Sequence, residues 1–295
     1  MAQRDEGAVP AEVAAALVRE RGLVAAVDSV TALGAGTDHH AFLVNRTLVV
    51  RVSAEADADA RRAATEREAA LLERVAARVT PPVPQPVLVE PEHGLLAYVR
   101  LPGRPWLDGP VADPARVAAA LGTFAAELHA VPAADVAGLV EPDDEPLQVW
   151  LDDARASFEA VATTLPGPTR SRIEPFLAAV PPPEPVVAVL CHNDLGVEHV
   201  LVDDEGSELA GIIDWSDAAL ADPAHDLARL WRDLGPDLFA VVLRHDGRAW
   251  RDDDLARMRF YARCALLEDL AYAAESGDRR YRDAALAHVD HAFAG

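Results

Sequence analysis

The chain has 295 residues, half of them apolar, and a formal net charge of −22. That length suggests two domains or lobes, and the charge makes nucleic acid a poor partner. No apolar run reaches the roughly 18 residues that a membrane span needs, and MAQRDEGAVPAE lacks the basic start and apolar core of a secretory signal, so a cytoplasmic protein is expected.

Two cysteines, Cys191 and Cys264, are too few for a disulfide framework or a metal cluster and read as free thiols in a reducing compartment. All 27 basic residues are arginine, so no lysine serves any phosphate-binding role. Residues 105–295 carry 35 of the 49 acids and only 15 of the arginines, which points to a cationic partner for the C-terminal part or simply to solubility.

Residues 11–21 read as a short amphipathic helix stopped by Gly22. Strands follow at Ala25–Leu33, His40–Val44 and Leu48–Val52, the first two separated by Gly34-Ala35-Gly36-Thr37-Asp38. A glycine loop between antiparallel strands lets backbone approach phosphates, in the manner of kinases rather than of the strand-to-helix P-loop. Two glycines also make an ordinary turn.

Residues 61–78, rich in Ala, Leu and Glu, form a helix that Pro81-Pro82-Val83-Pro84 breaks. Val87–Glu90 and Leu95–Arg100 form a hairpin. Leu101-Pro102-Gly103-Arg104-Pro105 then marks a boundary, with one lobe at 1–101 and a mainly helical one at 102–295. Helices are expected at 114–130, 147–163, 169–180, 236–245, 252–275 and 279–292. His129, at the end of the first of these, suits a structural or C-capping place.

Cys191–Trp215 is the chemically richest stretch. A polar loop leads into a strand, Asp203-Asp204-Glu205-Gly206 turns the chain, and Leu209–Ile213 returns as a second strand. A turn centred near Glu205 and Gly206 sets His199 opposite Ile213, so Asp194, His199 and Asp214 meet at one end of the hairpin. Phosphoryl transfer needs such a set: a carboxylate to orient the attacking hydroxyl, Asp194, and ligands for Mg²⁺, Asp214 and His199. The nitrogen of His199 is a less natural Mg²⁺ partner than an oxygen.

Further on, Asp222-Pro223 makes a helix start, with Asp as N-cap and Pro at N1. Glu268 and Asp269 lie in the apolar stretch CALLEDLAYA, where acids are costly unless paired or functional.

His192-Asn193-Asp194, His199 five residues on, and Ile213-Asp214-Trp215 together resemble the aminoglycoside phosphotransferase family, antibiotic kinases that include macrolide kinases. The resemblance implies an α+β, two-lobed protein-kinase-like fold with a small antiparallel-sheet N-lobe and a mainly helical C-lobe. It implies Asp194 as catalytic base, Asp214 as Mg²⁺ ligand, and His199 as a second ligand where most members carry Asn.

Gly34, Gly36 and Thr37 match the family's nucleotide loop. Arg51 stands where a strand lysine or arginine holds phosphate, and Glu68 matches the acid that pairs with it, with Glu66 as fallback and a solvated helix face as the plainer reading. Tyr98, Val99 and Arg100 match the segment that binds the purine edge. Asp226 matches an acid that supports the active-site loops, and Asp217 faces metal, substrate or solvent. Glu268 and Asp269 match the region that supplies acids to the antibiotic pocket.

The function so implied is ATP- or GTP-dependent phosphorylation of an aminoglycoside hydroxyl, with Mg²⁺ as cofactor, by a monomer or weak dimer. A macrolide kinase or another small-molecule kinase shares the same catalytic residues. A non-catalytic nucleotide-binding protein is the alternative from another class.

Overall fold

A computed structural model describes residues 8–35, 39–277 and 279–294. The chain forms two lobes. The first is a five-stranded antiparallel sheet in the order β1 (Val30–Ala35), β2 (His39–Val44), β3 (Leu48–Ser53), β5 (Leu95–Val99), β4 (Pro86–Glu90). Helix α1 (Ala8–Glu20) covers one face and α2 (Ala58–Ala76) the other.

Side chains alternate across a strand, and β3 uses both faces. Val50 and Val52 pack with Leu17 and Val18 of α1, while Val49 joins the core that holds Leu71, Leu72 and Val75 of α2. Asp57 caps α2 by accepting from the backbone of Asp59 and Ala60.

The expected first strand starts later than the apolar run suggests. Asn45 accepts from the Asp28 and Ser29 amides and donates to the Ala26 carbonyl. Those backbone groups are satisfied by one side chain, so the ladder begins only at Val30.

The second lobe packs α3 (Pro114–His129), α4 (Leu147–Val161), α5 (Gly167–Leu177), α6 (Pro223–Asp246), α7 (Asp252–Ser276) and α8 (Arg279–Ala292) around a large apolar core. Helix α6 is longer than the expected 236–245. It starts at the Asp222-Pro223 cap, where Asp222 accepts from the Ala224 amide, and it continues through a kink at Gly235 (φ 71°, ψ 174°) beside Pro236. Gly122 brings α3 close to α6, since a Cβ there would stand 2.2 Å from the Val242 carbonyl oxygen.

Two small sheets lie at the lobe junction. β7 (Val189–Cys191) pairs with β10 (Ala219–Ala221), and β8 (Val200–Val202) with β9 (Leu209–Ile212) and β6 (Arg104–Pro105). Among the described residues no helix is long and apolar enough to cross a membrane.

Candidate active site

The hairpin folds in the expected register. Val200 lies opposite Ile212, and the Ile213 amide donates to the His199 carbonyl at 3.0 Å. Asp203 accepts from the Ser207 and Glu208 amides and closes the turn, with Gly206 at φ 69°. Asp194 and Asp214 therefore flank His199. Its Nδ1 is 2.8 Å from the Asp194 carbonyl oxygen and 3.3 Å from the Asp194 carboxylate, and its Nε2 is 3.8 Å from Asp214.

The backbone at both ends of this set is held in an uncommon conformation. Asn193 and Asp214 adopt φ 67° and 64°, in the left-handed region that Asn and Asp tolerate better than other side chains. Asp226, fully buried on α6, accepts from the His192 and Asn193 amides at 3.1 and 2.8 Å and from His129 Nε2 at 3.0 Å. His129 is thus a structural partner rather than a helix cap. His192 donates to the Ile213 carbonyl, accepts from the Asp194 amide and packs on Trp215, so it braces the two acidic positions against each other.

On the N-lobe side, Arg51 points from β3 into the junction. It pairs with Glu68 of α2, donates to Ser216 Oγ at 2.5 Å and lies 3.6 Å from Asp214. Glu66 is exposed, so the fallback position faces away. Burial raises the Glu68 carboxyl and Arg51 only partly opposes it. Burial also raises Asp214, but there Arg51 and His199 prevail and the pKa falls. A cleft of about 670 Å³ opens between the lobes, lined by Leu33, Ala41, Val49, Tyr98, Leu101, Leu201 and Ile213 on its apolar part, and by Arg51, Glu198, His199, Asp214 and Asp217 on its polar part.

Tyr98 is buried and Val99 exposed, and Arg100 is also exposed, with its amide bonded to the Thr47 carbonyl. Gly34 lies in β1 where it pairs with Ala41, while Gly36 and Thr37 fall outside the described residues. The donor set suits a hard divalent cation. Asp194, Glu198 and His199 bring ligand atoms within 4.8 Å of one another, and the half-exposed Asp214 carboxylate faces them.

The acceptor side holds two residues that the sequence reading did not single out. Arg229 of α6 lies 3.1 Å from Asp194. Arg232, one turn on, donates to Asp233 at 2.6 Å and to Asp269 at 2.7 Å, and lies 3.9 Å from Glu198. Burial pushes Asp194 up, but Arg229 and then His199 outweigh it, and the pKa falls to about 2. Asp269 is thus joined to an arginine, whereas Glu268 beside it is exposed. The signal was present in the sequence: Asp226, Arg229 and Asp233 recur at i, i+3 and i+7 on one helical face.

Two lobes, an interlobe cleft, a strand cation paired to a helix acid, and carboxylates at one end of the β8–β9 hairpin define a kinase-like phosphotransferase. The chain belongs to the phosphotransferase enzyme family, whose model matches residues 29–261.

Viomycin phosphotransferase of Streptomyces vinaceus is 28% identical over 192 residues, covering 63% of this chain and 66% of the relative, just under two thirds of its length. Macrolide 2'-phosphotransferase of Brachybacterium faecium, solved as the apoenzyme, superposes with a TM-score of 0.62 at 27% identity, over 95% of this chain and 98% of that one. The GDP complex of wild-type aminoglycoside 2'-phosphotransferase-IIIa gives 0.70 at 22% identity, over 99% of each chain, and shares the fold.

Proposed function

We propose that the protein is an ATP- or GTP-dependent O-phosphotransferase that phosphorylates a hydroxyl of an aminoglycoside. The observation that carries this reading is the meeting of Arg51, His199 and Asp214 on one interlobe cleft, with Asp194 set against His199 and Glu68 against Arg51. We place the lobe boundary at residues 101/102, and the purine against Tyr98, Val99 and Arg100. The phosphates lie beneath the loop of Gly34, Gly36 and Thr37 and are held by Arg51, which Glu68 orients.

Asp214 and His199 would hold Mg²⁺, with Asp217 close by on the cleft wall. Bound there, Mg²⁺ supplies charge neutralisation of the transferring phosphoryl group. Asp194 accepts a hydrogen bond from the acceptor hydroxyl, aligns it for in-line attack and takes its proton. Arg229 holds the Asp194 carboxylate in place, so the base stays ionised throughout the physiological range. Glu268 and Asp269 border the acceptor side and interact with substrate ammonium groups. Two buried free thiols support a cytoplasmic location.

A macrolide acceptor is the second reading. Arg232 already pairs with Asp233 and Asp269, which reduces the acidity of the acceptor side and suits a less cationic substrate. The 27% identity to a macrolide 2'-phosphotransferase supports it as well.

Mass spectrometry of products formed with ATP and with GTP, from aminoglycosides and from macrolides, tests both readings. A gain of one phosphoryl group on an aminoglycoside that disappears in Asp194→Ala, while that variant still binds nucleotide, is the expected result. Gain on a macrolide alone selects the second reading. Nucleotide binding with no gain on either overturns both.

A further inference from the structure

A second cavity, of about 330 Å³, lies between the 141–146 loop, α4, the start of α6 and α7. It shares no lining residue with the interlobe cleft. Asp143, Asp144, Glu145, Glu184 and Asp222 line it. Asp222 is neutralised by Arg257 at 2.5 Å. Among the described residues the other four have no ion-pair partner, so the cavity carries a concentrated negative charge. Its apolar wall is Trp150 and Tyr261, with ring centroids 5.4 Å apart.

The ring of His225 packs 5.0 Å from each of these aromatics and is 97% buried, at 3% relative exposure. Its hydrogen bonding fixes its tautomer. Asn193 Nδ2 donates to Asp143 at 2.8 Å, so Asn193 Oδ1 is the acceptor for His225 Nδ1 at 2.6 Å, and Nδ1 carries the proton. Nε2 is left with a lone pair and has no partner. Burial, with Arg229 next, holds the imidazole neutral, with its pKa lowered to about 4. A buried acceptor without a donor is costly to leave unmet, and His225 lines the cavity together with the unpaired carboxylates.

We propose that this cavity binds the primary ammonium group of a small-molecule amine, which donates an N–H to His225 Nε2 while its charge is balanced by Asp143, Asp144, Glu145 and Glu184. The aromatic wall packs against the methylene arm and favours an organic cation. A hard metal ion is disfavoured, because it requires a shell of oxygens rather than an imidazole flanked by rings. The volume, at the low end for ligand pockets, limits the occupant to a small molecule. The site goes beyond phosphoryl transfer and does not rest on it. It does touch the catalytic loop, since Asp143 accepts from the residue that precedes Asp194.

Calorimetric titration of the full chain with 1,4-diaminobutane at physiological salt tests the proposal, with tetramethylammonium and 1-butanol as probes that lack, respectively, the N–H and the charge. The expected result is one saturable site for the diamine, unchanged by Asp269→Asn and by added nucleotide. Asp144→Asn/Glu145→Gln, both at exposed positions that leave the fold intact, should weaken it about tenfold or more, as should replacing the diamine by tetramethylammonium. Absence of a saturable site, equal affinity of the double variant, equal binding of tetramethylammonium, or displacement by Mg²⁺ or by an aminoglycoside acceptor would overturn it. Because the readout is binding, its failure and the failure of the phosphotransferase reading are separate results.

Discussion

The two sides of the Asp194–Asp214 hairpin use arginine in opposite ways. On the N-lobe side Arg51 faces both Glu68 and Asp214, and Arg51 and Asp214 open toward the interlobe cleft. On the acceptor side Arg229 and Arg232 are set deep in the C-lobe and neutralise Asp194, Asp233 and Asp269 from behind. The contrast teaches that acidic composition does not by itself make an acidic pocket. The C-terminal part is strongly anionic, yet Asp194, Asp233 and Asp269 are already paired with arginine. One group of acids without an ion-pair partner lines the second cavity, at Asp143, Asp144, Glu145 and Glu184.

The strongest way to break the contrast is to remove its deepest cation. Arg232→Ala removes the ion-pair partner of the buried Asp233 and Asp269 carboxylates and should cost about 3–5 kcal/mol in urea denaturation. A loss below about 1 kcal/mol would show that those acids are solvated or protonated. Arg51→Ala strips Glu68 in the same way, but it opens onto the cleft and leaves Asp214 half-exposed. The expected destabilisation is smaller, about 2–3 kcal/mol, and nucleotide affinity measured by calorimetry should fall with it.

Next comes pH. His225 has a folded pKa of about 4 against an ordinary 6.5. Between these values the unfolded chain binds more protons, so stability is full above pH 6.5 and declines as pH falls toward 4. The decline amounts to about 2 kcal/mol over the first 1.5 pH units, and His225→Gln should flatten it.

Arg229→Ala sharpens the role of the acceptor-side cations. The Asp194 carboxyl should rise by about one unit or more, and the acid limb of the kcat/KM profile should move up with it. An unmoved limb would separate Arg229 from the base. The smallest effect is expected for Glu268→Gln, where stability should change by less than about 0.5 kcal/mol and any change should be confined to KM for a cationic acceptor.

Much of this geometry is written locally. Strand alternation and the Asp203–Gly206 turn fix the hairpin register, which brings His199 and Asp214 together, while Asp226 and His192 hold the loop of Asp194 beside them. Asp222-Pro223 announces its helix because a cap and a fixed φ act over one turn. The helical spacing of Arg229 was legible, but the long-range ion pairs of Arg229 and Arg232 were not, because Asp194, Glu198 and Asp269 stand on other elements of the fold. Gly235-Pro236 also hid the continuity of α6, since a breaker pair reads as a helix end and here only bends one. For the same reason Asp269 reads as a free acid in the sequence and is a bridged one in the fold.

The three-stranded sheet at the junction has a mechanical consequence. Strand β6, which follows the last N-lobe strand, is laced to β8, and Gly103 beside it sits so close that a Cβ would stand 2.2 Å from the Val202 carbonyl oxygen. The N-lobe loop between α2 and β4 is hooked to the same hairpin, where the Ile212 amide donates to the Pro82 carbonyl at 3.0 Å. These two contacts of the N-lobe thus end on the hairpin that carries His199 and Asp214. That hairpin is the fulcrum of the molecule: any rocking of one lobe on the other bears directly on the spacing of His199 and Asp214 from Arg51.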